Sequence, residues 1–248
     1  MAESKTHQRF RSRAQDLEMY LEAMDAAARV TSNLLGHAEN IKKDIDKALP
    51  IDCSNYTRLN HPARNRARIY NYCRAKNSHS AIVEIYGYFS EYMRDILKEI
   101  YKKDPMQVVG KSQKLLNMTF ADLAKINTLG DLHGKMVEDV FRSLENERST
   151  IKLIDKILSG TGVNLSEADK MSVLPYLEMR HLIIHNNGKI DAEFEVKYGA
   201  ALKIKAGEKV PTVFPNAEAA IKSVRGFMKK VDSELVRMKL VTSNAERQ

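Results

Sequence analysis

The sequence is poor in the residues that form turns and covalent cross-links. Its 248 residues include 11 glycines, 6 prolines, two cysteines and no tryptophan. Few turn formers argue against a sandwich of many short strands, and two thiols cannot supply a disulfide framework. Residues that favour helices, such as Leu, Ala, Lys, Glu and Met, are common. We therefore predict a mainly α fold.

Long hydrophobic runs are also missing. No apolar segment comes near the roughly 18 residues that a membrane-spanning helix requires. The polar start MAESKTHQRFRSR lacks the apolar stretch of a secretory signal peptide. A reducing cytoplasm is therefore the expected location, with Cys53 and Cys73 as free thiols and no membrane partner.

Acidic residues are fewer than basic ones. There are 32 Asp and Glu against 40 Lys and Arg, which leaves a formal net charge of +8. Such an excess favours anionic partners, nucleic acid among them. The basic residues are densest in YTRLNHPARNRARIYNYCRAKN, residues 56–77, which we call the basic segment.

The basic segment has two interpretations. In the first interpretation, it is a solvated loop and helix face, as most charge runs are. Alternatively, it is an RNA track in which arginines neutralise phosphates and a tyrosine ring stacks on an unpaired base. The segment contains Arg58, Arg64, Arg66, Arg68 and Arg74, and the candidate RNA-binding residues are Arg64, Arg66, Arg68, Tyr70 and Tyr72.

Apolar residues spaced three and four apart predict a series of amphipathic helices. The first extends from about Gln8 to Lys47, and another begins near residue 78 and ends before Pro105. The last is capped by Asn216. Further helices are predicted to begin at Thr119, His133 and Glu147.

One segment departs from the helical pattern. Residues 193–215 alternate in character and include β-branched side chains, which predicts a small β-hairpin or an extended excursion. The resulting division of the chain is an N-terminal helical extension over 1–55, the basic segment 56–77, a helical domain over 78–240 and a tail over 241–248.

The segment EMRHLIIHNNGKID, residues 178–191, places three cation-forming side chains in an apolar helix. We predict this helix from Leu174 to Asn186, with Pro175 in its first turn and Asn-Asn-Gly as a left-handed stop. A buried guanidinium loses hydration that only a partner can replace. Arg180 therefore requires a carboxylate, a phosphate or a wet cleft.

The simplest interpretation of this helix is structural. Arg180 then forms an ion pair, with Glu84 or Glu91, and both histidines are satisfied interface residues. A second interpretation is a metal site, because the Glu-x-x-His-x-x-x-His spacing of Glu178, His181 and His185 places three ligands on one face. Di-iron bundles repeat Glu-x-x-His on a second helix, and this chain has no second copy.

A third interpretation is cleavage of RNA without a metal. A histidine that titrates near neutrality can take the proton of a 2′-hydroxyl, and a guanidinium fork can stabilise charge on the phosphoryl oxygens. Attack by that hydroxyl leaves a 2′,3′-cyclic phosphate. Arg180 and His185 supply both groups, but five positions place them about 140° apart on an ideal helix. Two copies across a dimer axis would ease this separation.

The same residues resemble a known family. Arg180, four intervening residues, His185 and the following NNGKID resemble the R-x(4–6)-H signature of HEPN domains. The aromatic-rich AIVEIYGYFSEYMRDIL about ninety residues earlier, and a last amphipathic helix, resemble the RiboL-PSP-HEPN branch. The likeness covers about residues 78–240.

The resemblance implies an α-helical bundle that dimerises through the helices carrying the signature. It also implies a metal-independent endoribonuclease of toxin-antitoxin or antiviral defence, with RNA as substrate, no cofactor and a cognate antitoxin or defence partner. Arg180 and His185 would be catalytic, and His181 or Asn186 would support their orientation. Because some HEPN domains are binding or scaffold modules, a non-catalytic HEPN protein stays open as an alternative.

Overall fold

A computed structural model of the chain describes residues 3–40, 43–103, 119–145, 150–158 and 161–244. Regular secondary structure in these ranges is helical, which confirms the mainly α class. Short 3₁₀ turns lie at Thr57–Leu59 and Ala63–Asn65. The helices are α1 Lys5–Asn40, α2 Ile45–Ala48, α3 Arg66–Lys103, α4 Phe120–Leu123, α5 Leu129–Glu145, α6 Thr150–Leu158, α7 Glu167–His185, α8 Ala192–Leu202 and α9 Phe214–Arg237.

None of the helices in the described ranges is both long enough and apolar enough to span a bilayer. The predicted helix starts at Thr119 and His133 correspond to α4 and α5, which begin at Phe120 and Leu129. The predicted start at Glu147 and the predicted end before Pro105 lie outside the described residues.

The chain forms two compact units, each built from separated segments. Unit 1 combines Met1–Ala14, Ile85–His181 and Lys222–Gln248, and unit 2 combines Gln15–Glu84 and Leu182–Ile221. The division predicted between residues 77 and 78 falls inside α3, which is one continuous helix. Residues 241–244 of the predicted tail belong to unit 1, where Ser243 pairs with Ser4 in an isolated β-bridge.

The core of unit 1 comes from helix faces with three- and four-residue spacing. Phe89, Met93 and Ile96 of α3 are fully buried, and so are Met228 and Val231 of α9. These positions follow the apolar stripes of the sequence, because residues three and four apart share one face of a helix. Burial of these stripes holds the segments of unit 1 together.

A buried carboxylate lies within unit 1. Asp232 is 1% exposed and accepts hydrogen bonds from the Ser4 backbone N–H at 2.9 Å, the Ser4 hydroxyl at 2.5 Å and the Tyr92 hydroxyl at 2.9 Å. Burial raises the pKa of Tyr92 well above its usual value, and the Asp232 charge raises it further. Three donors replace the hydration that the carboxylate loses on burial.

Unit 2 contains the rest of α1 and the beginning of α3. Leu35 of α1, Ile45 of α2 and Ala63 form a buried cluster. Asp25 of α1 accepts hydrogen bonds from Arg74 at 2.6 Å and Arg29 at 2.7 Å. The ion pair with Arg74 joins two helices within this unit.

The first helix is shorter than predicted. The sequence predicts one helix to Lys47, whereas α1 ends at Asn40 and a separate α2 follows at Ile45–Ala48. The cause is a backbone pairing: the Ile45 N–H donates to the His61 carbonyl at 2.9 Å, and the Ala63 N–H donates to the Lys43 carbonyl at 3.2 Å. An N–H group that donates in this pairing cannot also donate to the carbonyl four residues earlier, as a continuous helix would require.

Helix α7 is longer than predicted. It begins at Glu167 rather than Leu174, and Pro175 lies buried in its interior rather than in its first turn. The start is set by Ser166, whose Oγ accepts from the Asp169 N–H at 3.1 Å and donates to the Asp169 carboxylate at 2.7 Å. The bond from the Asp169 N–H to the Ser166 hydroxyl is an N-cap that stabilises the first turn.

Of the two predicted alternatives for this segment, the β-hairpin is wrong, because residues 186–213 contain a helix and no strand. Residues 192–202 form α8, because Asp191 caps it by accepting from the Phe194 N–H at 2.8 Å and because Phe194 and Tyr198 bury one face of it. Val196, an apolar residue of the alternating sequence pattern, is 87% exposed on α8. The extended backbone that follows makes one isolated bridge, between Lys189 and Lys209.

The predicted cap of the last helix is also wrong. Helix α9 begins at Phe214, so Asn216 lies inside its first turn. The Asn216 side chain donates to the Pro211 carbonyl at 3.0 Å, and it fixes the preceding loop instead of capping the helix.

Candidate functional site

The C-terminal part of α7 carries the predicted catalytic and supporting residues. His181, Ile184 and His185 are exposed, and Ile184 keeps 45% of its surface. Met179 and Leu182, on the other face, are buried. The helix is therefore not buried all round, and His181, Ile184 and His185 form a surface that we call the α7 exposed face.

Arg180 borders this face. Its guanidinium lies over the ring of Tyr86 in α3, with its central carbon 5.1 Å from the ring centroid. The side chain is half-buried, so part of it is accessible. A guanidinium at this distance is attracted by the negative ring face, by roughly 0.5 to 1 kcal/mol when partly exposed. Tyr86 therefore gives Arg180 a defined position on an aromatic surface.

The ion-pair interpretation named two carboxylates for Arg180. One of them, Glu91, forms ion pairs with Arg13 and, at 3.9 Å, with Arg9. The Arg13 guanidinium also lies over the Tyr88 ring, 4.1 Å from its centroid. Glu91 thus belongs to a cluster with two arginines of α1.

The end of α7 is fixed by a left-handed turn, as the Asn-Asn-Gly sequence predicts. Asn187 and Gly188 have φ values of 51° and 69°. The Gly188 N–H donates to the Leu182 carbonyl, six residues earlier, at 2.8 Å, and the Asn186 N–H donates to the same carbonyl at 3.0 Å. The Asn186 side chain donates to the Lys189 carbonyl at 2.6 Å. Asn186 therefore braces the turn that follows His185.

His79, which no sequence pattern indicated, packs against this turn. A Cβ placed on Gly188 would lie 3.4 Å from the His79 ring, and His79 Nε2 is buried without a hydrogen-bond partner in the described ranges. Burial lowers the pKa of His79, as do the charges of Lys76 and Lys209, whereas a hydrogen bond with the Val210 backbone raises it. A lone histidine in NSHS gives no sequence signal for such a contact.

The positions along α7 follow from helix geometry. With about 100° per residue, the α7 exposed face extends about 100° from Ile184 through His181 to His185. Arg180 lies about 40° beyond Ile184, outside this face, and His185 forms the opposite edge of the face, so the two residues are separated by about 140°. One copy of α7 therefore presents both groups toward solvent, and ideal helix geometry does not bring them into contact.

The metal interpretation finds no support in the geometry. In the part of the chain that the structure describes, no group of three or more His, Cys, Asp or Glu side chains is arranged to hold a metal ion. Glu178, His181 and His185 therefore do not form a ligand set in this structure.

The basic segment has a mixed environment. Arg58, Arg64, Arg68 and Tyr72 are exposed, and Tyr72 keeps 63% of its surface. Arg66 is half-buried as the first residue of α3, and burial raises the pKa of the half-buried Tyr70. Arg74 is engaged by Asp25. Of the predicted RNA-binding residues, Arg64, Arg68 and Tyr72 are thus the accessible ones.

Comparison with known proteins adds no relative. No protein-family model matches the chain, and no curated protein or solved structure matches it. The HEPN resemblance therefore depends on the signature and its surroundings in the sequence, and it stays a prediction. The side chains at the end of α7 are the remaining basis for a function.

Proposed function

We propose that the chain is a metal-independent endoribonuclease of HEPN type. The observation that carries this proposal is the end of α7, where Arg180 borders one exposed helix face and His185 forms its opposite edge. Arg180 is positioned by the Tyr86 ring, and His185 directly precedes a turn with defined hydrogen bonds. A cation and an imidazole on a solvent-accessible surface are the two groups that the reaction requires.

The reaction is an internal transfer at phosphorus. The RNA 2′-hydroxyl attacks the adjacent phosphorus, the bond to the 5′-oxygen breaks, and the products are a 2′,3′-cyclic phosphate and a 5′-hydroxyl. His185 takes the 2′-hydroxyl proton, a proton from solvent neutralises the departing 5′-oxygen, and the imidazolium then returns its proton to solvent. The Arg180 guanidinium binds the phosphoryl oxygens on which charge develops. His181 and Asn186 support the geometry, Asn186 through the turn that it braces.

The active species in this proposal is a homodimer formed through α7. Ile184 is an exposed large apolar side chain on the same helix face as His181 and His185, and contact with a second copy would remove it from water. A two-fold axis would place two copies of the α7 exposed face against each other, so that each cleft receives groups from both protomers. Toxin-antitoxin or antiviral defence, with a cognate antitoxin or defence partner, is the biological setting that the resemblance implies.

The test is cleavage of RNA by purified protein in EDTA. We expect His185→Ala to lower the cleavage rate by roughly 10² to 10⁴, because acid-base assistance is lost. Arg180→Ala should lower it by roughly 10² to 10³, because the developing charge loses its partner. Matched controls are His61→Ala and Arg237→Ala, which remove exposed side chains of the same types elsewhere.

Product analysis separates the alternatives. A 2′,3′-cyclic end formed in EDTA supports the proposal. Cleavage that EDTA abolishes and Zn²⁺ restores would overturn it in favour of a metal site. RNA binding without cleavage by the parent protein would instead identify a non-catalytic binding module.

A further inference from the structure

Unit 1 contains a cavity whose walls come from the first turns of α1 and from one face of α9. Its volume is about 480 Å³. None of Arg180, His181 and His185 is among its lining residues. Volumes of about 300 to 1,000 Å³ are typical of small-molecule sites. The cavity is therefore large enough for a ligand with an organic body, not only for a bare ion.

Most of the charged residues that line the cavity are cationic. Lys222, Arg225 and Lys229 follow one another on a single face of α9, at spacings of three and four, and Arg11 of α1 contributes a fourth cation. Against these four charges the lining contains two carboxylates, Glu3 and Asp232. The formal balance of the lining is thus +2 with His7 neutral, which favours an anionic ligand.

Both carboxylates of the lining are engaged by donors of the protein. Glu3 accepts from Arg11 at 2.8 Å and is bonded to His7 Nδ1 at 2.9 Å. Asp232 accepts from the Ser4 backbone and hydroxyl and from the Tyr92 hydroxyl. Their negative charge is therefore held close to these partners, and Lys222, Arg225 and Lys229 line the α9 wall.

One position in the α9 wall of the cavity has no side chain. Gly226 lies on α9 between Arg225 and Lys229, and a Cβ added to it would meet nothing within 4 Å. Glycine in a helix interior weakens the helix relative to alanine. At this position it leaves open the space that a ligand body would fill.

We propose that this cavity binds a small phosphomonoester of about mononucleotide size. The Arg225 fork and the two lysines match phosphate oxygens, since charge-assisted hydrogen bonds from Arg and Lys are the usual means of holding phosphate. The Ser233 hydroxyl and the Glu3 carboxylate supply acceptors for hydroxyl or amino groups of the ligand body. The site is distinct from the RNA-cleaving residues, so it stands or falls independently of the proposed function.

Binding is measured by isothermal titration calorimetry on the full chain with AMP, ribose 5-phosphate, adenosine and inorganic phosphate as probes. AMP should bind more tightly than adenosine and more tightly than inorganic phosphate, because phosphate and body both contribute. Ribose 5-phosphate binding as tightly as AMP would identify a sugar phosphate as the source of the same chemistry. Tighter AMP binding would identify a nucleotide.

Two variants locate the binding. Arg225→Gln should weaken AMP or ribose 5-phosphate binding roughly 10- to 100-fold, because a charge-assisted hydrogen bond is removed. Gly226→Leu should remove binding by filling the cavity, and it should raise helix propensity, so the fold is retained. Lys5→Gln removes an exposed cation of α1 outside the lining, and Gly87→Leu fills open space beside α3. Both controls should bind like the parent.

The proposal is overturned if neither AMP nor ribose 5-phosphate binds the parent protein. It is also overturned if Gly226→Leu retains the parent affinity with a melting temperature equal to or above that of the parent. A weakening by Lys5→Gln as large as that by Arg225→Gln would show that net charge alone attracts the probes, and it would overturn the site equally.

Discussion

At the scale of single residues, the histidines occupy contrasting environments. His185 is exposed at the end of α7, where a proton acceptor can meet a substrate. His79 is half-buried against Gly188, and its Nε2 has no hydrogen-bond partner in the described ranges. Because burial and two lysines lower the pKa of His79, the folded protein favours the neutral imidazole. His79 is thus a candidate for pH-dependent stability.

The first prediction at this scale concerns His79→Gln. Unfolded His79 titrates near 6.5 and the folded pKa is lower, so the unfolded chain binds more protons between the two values. The stability that depends on neutral His79 is complete above the unfolded pKa and is lost as pH falls through it toward the folded pKa. We expect the urea midpoint of the parent to fall relative to that of His79→Gln between about pH 7.5 and about pH 5.5.

The control for this measurement is His61→Gln, since His61 is exposed in the same unit. The urea midpoint of His61→Gln should change with pH in the same way as that of the parent. If the urea midpoints of the parent and His79→Gln change equally with pH, titration of the buried imidazole does not affect the stability of the fold.

At the scale of elements, the start of α3 joins two properties. Its first turns pack Ile69 and Tyr70 against the cluster of Leu35, Ile45 and Ala63. The same turns present Arg68 and Tyr72 to solvent, close in sequence to the exposed Arg64. An amphipathic helix can therefore be anchored by one face and keep a basic face accessible to an anion.

This basic face leads to a prediction for RNA binding. Changing Arg64 and Arg68 together to Gln should weaken binding across RNA sequences and flatten the slope of log K against log salt, by about 0.7 for each phosphate of a single strand that is no longer neutralised. Cleavage of bound RNA should change little, because these residues only position the strand. Fluorescence anisotropy at several salt concentrations gives both slopes.

The matched control is Lys152→Gln with Lys156→Gln, which removes two exposed charges from α6. If the control double variant changes the slope as much as the arginine double variant, general charge explains the binding. Coincident slopes for the parent and the arginine double variant would assign the basic segment to the solvated surface instead.

At the scale of the whole molecule, the proposed activity requires a second copy. Arg180 and His185 of one α7 are about 140° apart, so a single helix does not bring them together. We predict that Ile184→Glu, which places a charge on the α7 exposed face, raises the dimer dissociation constant by at least roughly 100-fold, because an unpaired charge would be buried. RNA cleavage should fall with the dimer fraction although Arg180 and His185 are intact.

Sedimentation equilibrium with parallel activity assays tests this prediction. The matched control is Val196→Glu, which changes another strongly exposed apolar residue, on α8. It should leave both mass and activity unchanged. An active parent protein that sediments as a monomer at the assay concentration would refute the requirement for a dimer.

The sequence by itself determined the class of the fold and the local stops. Apolar residues at spacings of three and four predicted the buried faces of α3 and α9, because residues at these spacings lie on one side of a helix. Asn-Asn-Gly predicted the end of α7, because a left-handed residue without a Cβ penalty terminates a helix locally. The sequence also indicated Arg180 and His185 as the candidate catalytic residues, and their proposed chemistry remains to be tested.

Only the tertiary structure decided the features that depend on residues distant in sequence. Pairing of residues 43–45 with 61–63 ended the first helix early, and burial of Phe194 and Tyr198 made a helix of the predicted hairpin. The Tyr86 ring under Arg180 and the cavity beside α9 join segments far apart in the chain. Local periodicity cannot encode such partners, because their energies arise only when the chain has folded.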